Sequence, residues 1–298
     1  MANGNYFDDI DRLDEYTKDM RATDNLMVSS RENAKTVLDS FRAGDTSSPW
    51  QSLDRIDIAN RLEEIIDNPR FINQGSLNLC GPAAFICMWN GRDPVGFVTY
   101  ATQLYDYGEA YIGNLLIRPG TELMSQDYNE MLQRMSYPTP AADWMVLGAL
   151  RNTTNVFWQG TWEGDPEQKL AGLTRPGELA GWLEATGIYS QVINDGNWSS
   201  YAGLPHAMNL SQSEGTDIAL LIHMNLINVA EGQSMDQSFI LSQFPNHYIV
   251  LLNEVVQDIQ TKKVYFSIWT HGNTKIDLSV TEEDFIANYY GAVIAQLA

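Results

Sequence analysis

Two cysteines and four histidines are all that this 298-residue chain offers to thiol and imidazole chemistry. A pair, Cys80 and Cys87, cannot build a disulfide framework. On one helix, seven residues apart, their Cα atoms would stand roughly 10 Å from each other, and a disulfide needs less than ~7 Å. Both thiols are therefore expected to stay free, as in a reducing compartment. No CxxC or HxxxH spacing occurs, so neither a zinc cluster nor any other metal site is expected. No Rossmann or P-loop glycine pattern occurs either, and no cofactor is expected. Basic residues are also scarce. Eighteen Lys and Arg face 38 Asp and Glu, a net charge of −20. Residues 1–70 carry 15 acidic and 9 basic side chains, and residues 71–298 carry 23 and 9. So few cations cannot track a phosphate backbone, which argues against nucleic acid and anionic membranes as partners. No apolar run approaches the ~18–20 residues of a membrane span, so no membrane insertion is expected. The first residues, MANGNYFDDIDRLDEYTKDM, are acidic and lack the apolar segment of a Sec signal. The expectation is a protein made in the cytoplasm that leaves it, if at all, by another route.

What is present is an ordinary globular composition, 44% hydrophobic and 19% charged, enough to bury a sizeable core. Residues 1–46 are polar, with a weak helical pattern over 8–38, and read as a loosely packed arm. Ser48-Pro49-Trp50-Gln51 has the form of a helix start, with Leu53, Ile56, Leu62 and Ile66 following and Asn68-Pro69 closing. This gives an N-terminal helical unit, 1–70, ahead of a domain over 71–298. A polar loop covers 71–79. Pro82 is tolerated only in a first turn, so the apolar helix over 83–90 must begin near Cys80. Further helices are expected over 94–106, 121–135, 142–152 and 176–186. Beyond Gly187 the texture changes to Val, Ile and aromatics. Strands are expected over 188–193, 218–226, 248–256 and 264–269, the last two joined by Gln260-Thr261-Lys262-Lys263 as a long hairpin. A helix over 281–287 and a strand or helix over 289–297 close the chain. Helices first and strands later make the fold class α+β.

Cys80 is placed where a thiol can become a nucleophile, because a helix N-terminus favours negative charge. Cys87, two turns further on, reads as inert core. A cysteine nucleophile needs a base, usually histidine. His206 lies in a polar loop, and His223 in an apolar run where backbone-bonded core is the simpler reading. His271 sits in a Trp-Thr-His-Gly turn. His247 opens the strand YIVLLNEVV and is the best candidate. Trp144, Trp158, Trp162, Trp182 and Trp198 read as core or loop packing, with a cleft lined by some of them as the alternative. Glu63 and Glu64 read as a solvated face.

The ordered set of Gln74, Cys80, a helix, a distant His247 opening a hairpin, and an aromatic-Gly turn closing it resembles the papain-like cysteine peptidase superfamily. Cys-Gly-Pro-Ala-Ala and His-Tyr-Ile-Val-Leu are most similar to its bacterial branches, the bacteriocin-processing peptidases and the papain-like toxins and effectors. The resemblance covers 71–298 in element order and about twenty residues closely. It implies a helical half carrying the Cys helix, packed on an antiparallel sheet carrying the His. It makes Cys80 the nucleophile, His247 the base, and Gln74 an oxyanion donor beside the Cys80 N–H. Donors of this kind can each be worth ~3 kcal/mol. The substrate would be a protein or peptide amide, with deamidation or acyl transfer as variants. The toxin-like branch further implies a bacterial effector exported by a specialised system, with a secretion chaperone or immunity protein as partner. The sequence departs from the family at the residue that orients the histidine. The return strand, VYFSIWTHGN, puts Trp269 where the family has Asn or Asp. Thr270 or Asn273 can take that role, or the site is a dyad, or the chain is an inactive binding protein on the same scaffold.

Overall fold

The computed structural model describes residues 28–155, 161–210, 214–234 and 244–298. The first 27 residues of the arm, and Trp158, lie outside the described residues. Helices make up most of the N-terminal half, and an antiparallel sheet dominates the C-terminal half, the order expected for α+β.

The arm is not loose from residue 31 on. Helix α1 (Arg31–Ala43) starts at Ser30, whose hydroxyl accepts the Asn33 N–H. Its Ala34, Leu38 and Phe41 are buried in the main core. Three apolar positions on one face dock a helix that is otherwise polar. Helix α2 (Arg55–Asp67) begins later than Ser48-Pro49 suggests, because Asp54 caps it by accepting the Ile56 and Asp57 N–H groups. Trp50 is buried, with its indole N–H on the Leu104 carbonyl, and this holds the segment before Asp54 out of the helix.

Helices α3 (Cys80–Arg92) and α4 (Pro94–Tyr107) start where their prolines require. Every residue of α3 except Gly91 is buried. A helix apolar on all sides belongs in the centre, and α3 packs against β5 (His247–Leu251), α4, α7 (Ala141–Thr154) and α9 (Pro176–Thr186). A short hairpin, β1 (Ala110–Ile112) and β2 (Leu115–Ile117), follows α4. The helix expected over 121–135 is two, α5 (Thr121–Met124) and α6 (Tyr128–Arg134), because Asp127 caps the second. After α7 comes the one-turn α8 (Lys169–Gly172). Left-handed Gly187 terminates α9. Trp144, Trp162 and Trp182 are buried core residues, and Trp198 packs on the core partly buried.

The remaining strands are β3 (Tyr189–Asn194), β4 (Thr216–Ile222), β6 (Val256–Asp258), β7 (Lys263–Thr270), β8 (Asn273–Thr281) and β9 (Tyr289–Leu297). The sheet order is β3-β9-β4-β5-β7-β6, with β8 also paired to β7. The closing segment is thus a strand, held between β3 and β4. Two expected strands are shorter than their apolar runs. β4 stops at Ile222, since the His223 ring accepts the Asn225 N–H and turns the chain into α11 (Asn225–Ala230). β5 stops at Leu251. Just beyond it the Asn253 side chain bonds both the N–H and the hydroxyl of Ser267 and takes the place of a ladder partner. The long hairpin is therefore two short pairings with β7, one by β5 and one by β6.

Side chains alternate across the sheet. Leu221, Tyr248, Val250 and Trp269 join the core built around α3. Ile222, Ile249, Leu251 and Ile268 join a second core beneath α10 (Leu204–Met208), α11 and α12 (Glu282–Asn288).

Candidate active site

Cys80 is the first residue of α3, buried against the start of β5. The helix's first bond runs from the Ala83 N–H to the Leu79 carbonyl, so the Cys80 and Gly81 N–H groups have no helical acceptor. These two N–H groups, with that of Tyr248 on β5, favour the thiolate. Burial opposes them and wins, pushing the thiol up to about 11. The neutral thiol donates to the Asn246 carbonyl at 3.8 Å. Sulfur thus lies against the start of β5, between main-chain groups that flank His247.

The His247 ring is buried, with Nε2 2.7 Å from Thr270 Oγ1. Burial, and then the neighbouring His271, hold His247 well below the usual histidine value. Thr270 is the last residue of β7, and His271-Gly272 form the two-residue turn into β8, both with positive φ (48° and 73°). That is the backbone of a type I′ hairpin turn. The turn lays the His271 ring on His247, centroids 4.5 Å apart and planes 14° from parallel. His271 Nδ1 is 3.1 Å from the same Thr270 hydroxyl. Burial and Lys275 bring His271 down to about 4, with Glu231 opposing in part. Of the two residues expected to orient His247, Thr270 touches it. The Asn273 side chain instead donates to the His271 carbonyl at 2.9 Å.

Gln74 sits in the loop beneath this turn. A Cβ on Gly272 would stand 3.0 Å from Asn73 Cβ, so the turn presses on the loop. The loop is anchored by Asn73 N–H on the buried carboxylate of Asp143, which Arg61 also holds at 2.8 Å. Gln74 is buried, and its Oε1 has no hydrogen-bond partner.

A strap over residues 172–174 closes the site. A Cβ on Gly81 would stand 2.3 Å from the Thr174 side chain, so Thr174 rests directly on the start of α3. Buried Arg151 holds the strap through the Leu173 carbonyl (3.1 Å) and Thr174 Oγ1 (3.3 Å), and pairs with Glu178 at 2.8 Å. The Tyr248 hydroxyl donates to the Thr174 carbonyl at 3.2 Å.

The fold brings Cys80 against the strand bearing His247. The pleat of β5 and the pairing of His247 with Ile222 set the His247 ring, with Thr270, on the face of Ile222 and Ile249, opposite to Tyr248 and the α3 core. The thiol and the imidazole bond to Asn246 and Thr270 rather than to each other. His223 is buried and bonded to the backbone, in keeping with a core histidine. His206 bonds Tyr289 and Asp195. Cys87 is free and buried. Two participants escaped the sequence reading, His271 as a stacking partner and Thr174 as a cover. The His-Gly pair at a hairpin tip was the available signal for the first, and nothing local signalled the second. Among the described residues, no three His, Cys, Asp or Glu side chains gather as a metal site needs, and no helix is long and apolar enough to cross a membrane. Compared with known proteins, the chain matches no family model and has no significant similarity to a curated protein or a solved structure.

Proposed function

We propose that this chain is a cysteine hydrolase of papain-like type that cleaves a protein or peptide amide, with Cys80 as nucleophile, His247 as base and Thr270 as the residue that orients it. The observation that carries the reading is the position of the Cys80 sulfur. It sits at a helix N-terminus and against the main chain on both sides of a buried histidine. Burial raises the thiol and lowers the imidazole, so the resting pair is neutral. His247 takes the thiol proton only as sulfur attacks the substrate carbonyl. The C–N bond then breaks, the amine leaves with the proton held by His247, and water releases the acyl group from sulfur. The Cys80 N–H and the Gln74 side-chain N–H are the donors assigned to the oxyanion. The toxin-like resemblance extends the proposal to an exported bacterial effector.

A second reading, a binding protein that keeps the scaffold without the chemistry, draws on the closed strap and the raised thiol. Acyl transfer separates the two. The protein is incubated with a p-nitrophenyl ester and weighed intact, and the adduct is located by peptide mapping. The enzyme reading expects an acyl group on Cys80 that is absent in His247→Ala. No adduct on Cys80, or one indifferent to His247, leaves the binding protein.

A further inference from the structure

The Thr270 hydroxyl lies between two imidazoles, 2.7 Å from His247 Nε2 and 3.1 Å from His271 Nδ1. A hydroxyl has one proton to give. Thr270 is 1% exposed, and these two ring nitrogens are its side-chain partners. One ring must therefore accept from the hydroxyl and the other must donate to it. In one arrangement Thr270 donates to His271 Nδ1 and accepts the His247 Nε2–H. Both neutral rings then carry their proton on Nε2, the tautomer a free histidine side chain favours. In the other arrangement both carry it on Nδ1.

We propose that His271 is a positioning residue that sets the tautomer of His247: by taking the Thr270 proton at Nδ1, it leaves His247 protonated on Nε2 and bare on Nδ1. This rests on the reading of His247 as the base, because a bare Nδ1 is the only place where that ring can receive a proton. It also explains how a threonine replaces an amide or carboxylate. A threonine oxygen alone does not specify which way its proton points, whereas a threonine with a second acceptor does. As His247 becomes charged, its Nε2–H bond strengthens while Thr270 stays polarised toward His271.

The stack adds a condition. A charged His271 would face the imidazolium of His247 ring to ring, so the device works only with His271 neutral. The groups facing His271 are His247 from β5, Lys275 from β8 and Glu231 from the end of α11, the last two paired with each other.

The test is nitrogen-15 correlation NMR of the histidine side chains in the full chain at pH 7, with acylation of Cys80 measured in parallel. In the wild type both His247 and His271 are expected as Nε2–H tautomers. His271→Phe keeps a flat ring but removes the acceptor, so His247 should shift to Nδ1–H and acylation should fall about tenfold to a hundredfold. His271→Asn restores an acceptor oxygen and tolerates the positive φ, so it should keep the wild-type tautomer and most of the acylation rate. A wild-type His247 protonated on Nδ1, or an Nε2–H tautomer unchanged in folded His271→Phe, overturns the proposal. The wild-type spectrum can overturn the assignment without any variant, and His271→Phe decides whether His271 is its cause. Absence of acylation with both rings as Nε2–H would refute the hydrolase reading while upholding the tautomer assignment.

Discussion

The two ends of helix α3 come from one apolar stretch and carry one buried cysteine each, but they are closed by different chemistry. At the N-terminus Cys80 meets backbone N–H groups, a histidine strand and the strap at Thr174. Toward the C-terminus Cys87 lies near a fixed ion pair. There Arg92 grips Asp217 with two bonds of 2.9 Å, and the Tyr189 hydroxyl adds a third at 3.0 Å. Burial pushes the thiols up to about 11 for Cys80 and about 12 for Cys87. Depth alone therefore does not distinguish them. What does is the set of N–H groups left over at a helix start. One end of the helix offers free N–H groups to a neutral buried thiol, and the other holds an existing pair of charges in place.

The largest effect that can break this comparison is His247→Ala. Cys80 acylation should fall about 10²- to 10⁴-fold, the span of general-base catalysis, and Cys87 labelling should not change. Arg92→Met addresses the other end. It strands Asp217 without its partner and should cost about 3–5 kcal/mol in urea unfolding, while Cys80 in the folded fraction acylates at the wild-type rate. Gly81→Ala is smaller. The new methyl meets Thr174, so a loss of about 1–3 kcal/mol is expected from overpacking. If the strap gives way instead, Cys80 labels faster.

A further effect is on the pH dependence of stability. His247 and His271 titrate below the unfolded value of 6.5 in the folded protein, His271 at about 4. Between these values the unfolded chain binds more protons than the native one. The stability these rings contribute is therefore present above pH 6.5 and lost as pH falls toward 4. The slope should be at most about 1.4 kcal/mol per pH unit for each ring. Urea midpoints from pH 7 to pH 4 test this, and His271→Asn should flatten the slope.

Local signals in the sequence carried much of this. Pro82 placed the start of α3, and Pro176 with Gly187 bounded α9. The Val- and Ile-rich runs located the sheet. What stayed hidden depended on contacts made at a distance. Trp50 reaches Leu104 and delays α2, and Asn253 reaches Ser267 and cuts a strand short. Three buried side chains dock α1 although its composition reads as loose. At the site, Cys80 and His247 were legible as residue types in position. Thr270 and Asn273 pair across the turn and share a face, so only the side-chain bonds separate them, Thr270 on the His247 ring and Asn273 on the His271 carbonyl. The stacked His271 needed the turn geometry itself.

The central claim is that Cys80 is an acceptor of acyl groups made so by its end of the helix and by His247. The most direct measurement is the rate of iodoacetamide labelling at each cysteine from pH 5 to pH 9, resolved by mass spectrometry, in the wild type and in His247→Ala. The account expects Cys80 to label ahead of Cys87, because the leftover N–H groups at the helix start favour its thiolate, and to lose its lead at neutral pH in the histidine variant. Equal, slow labelling of both cysteines, unchanged by His247→Ala, would contradict it.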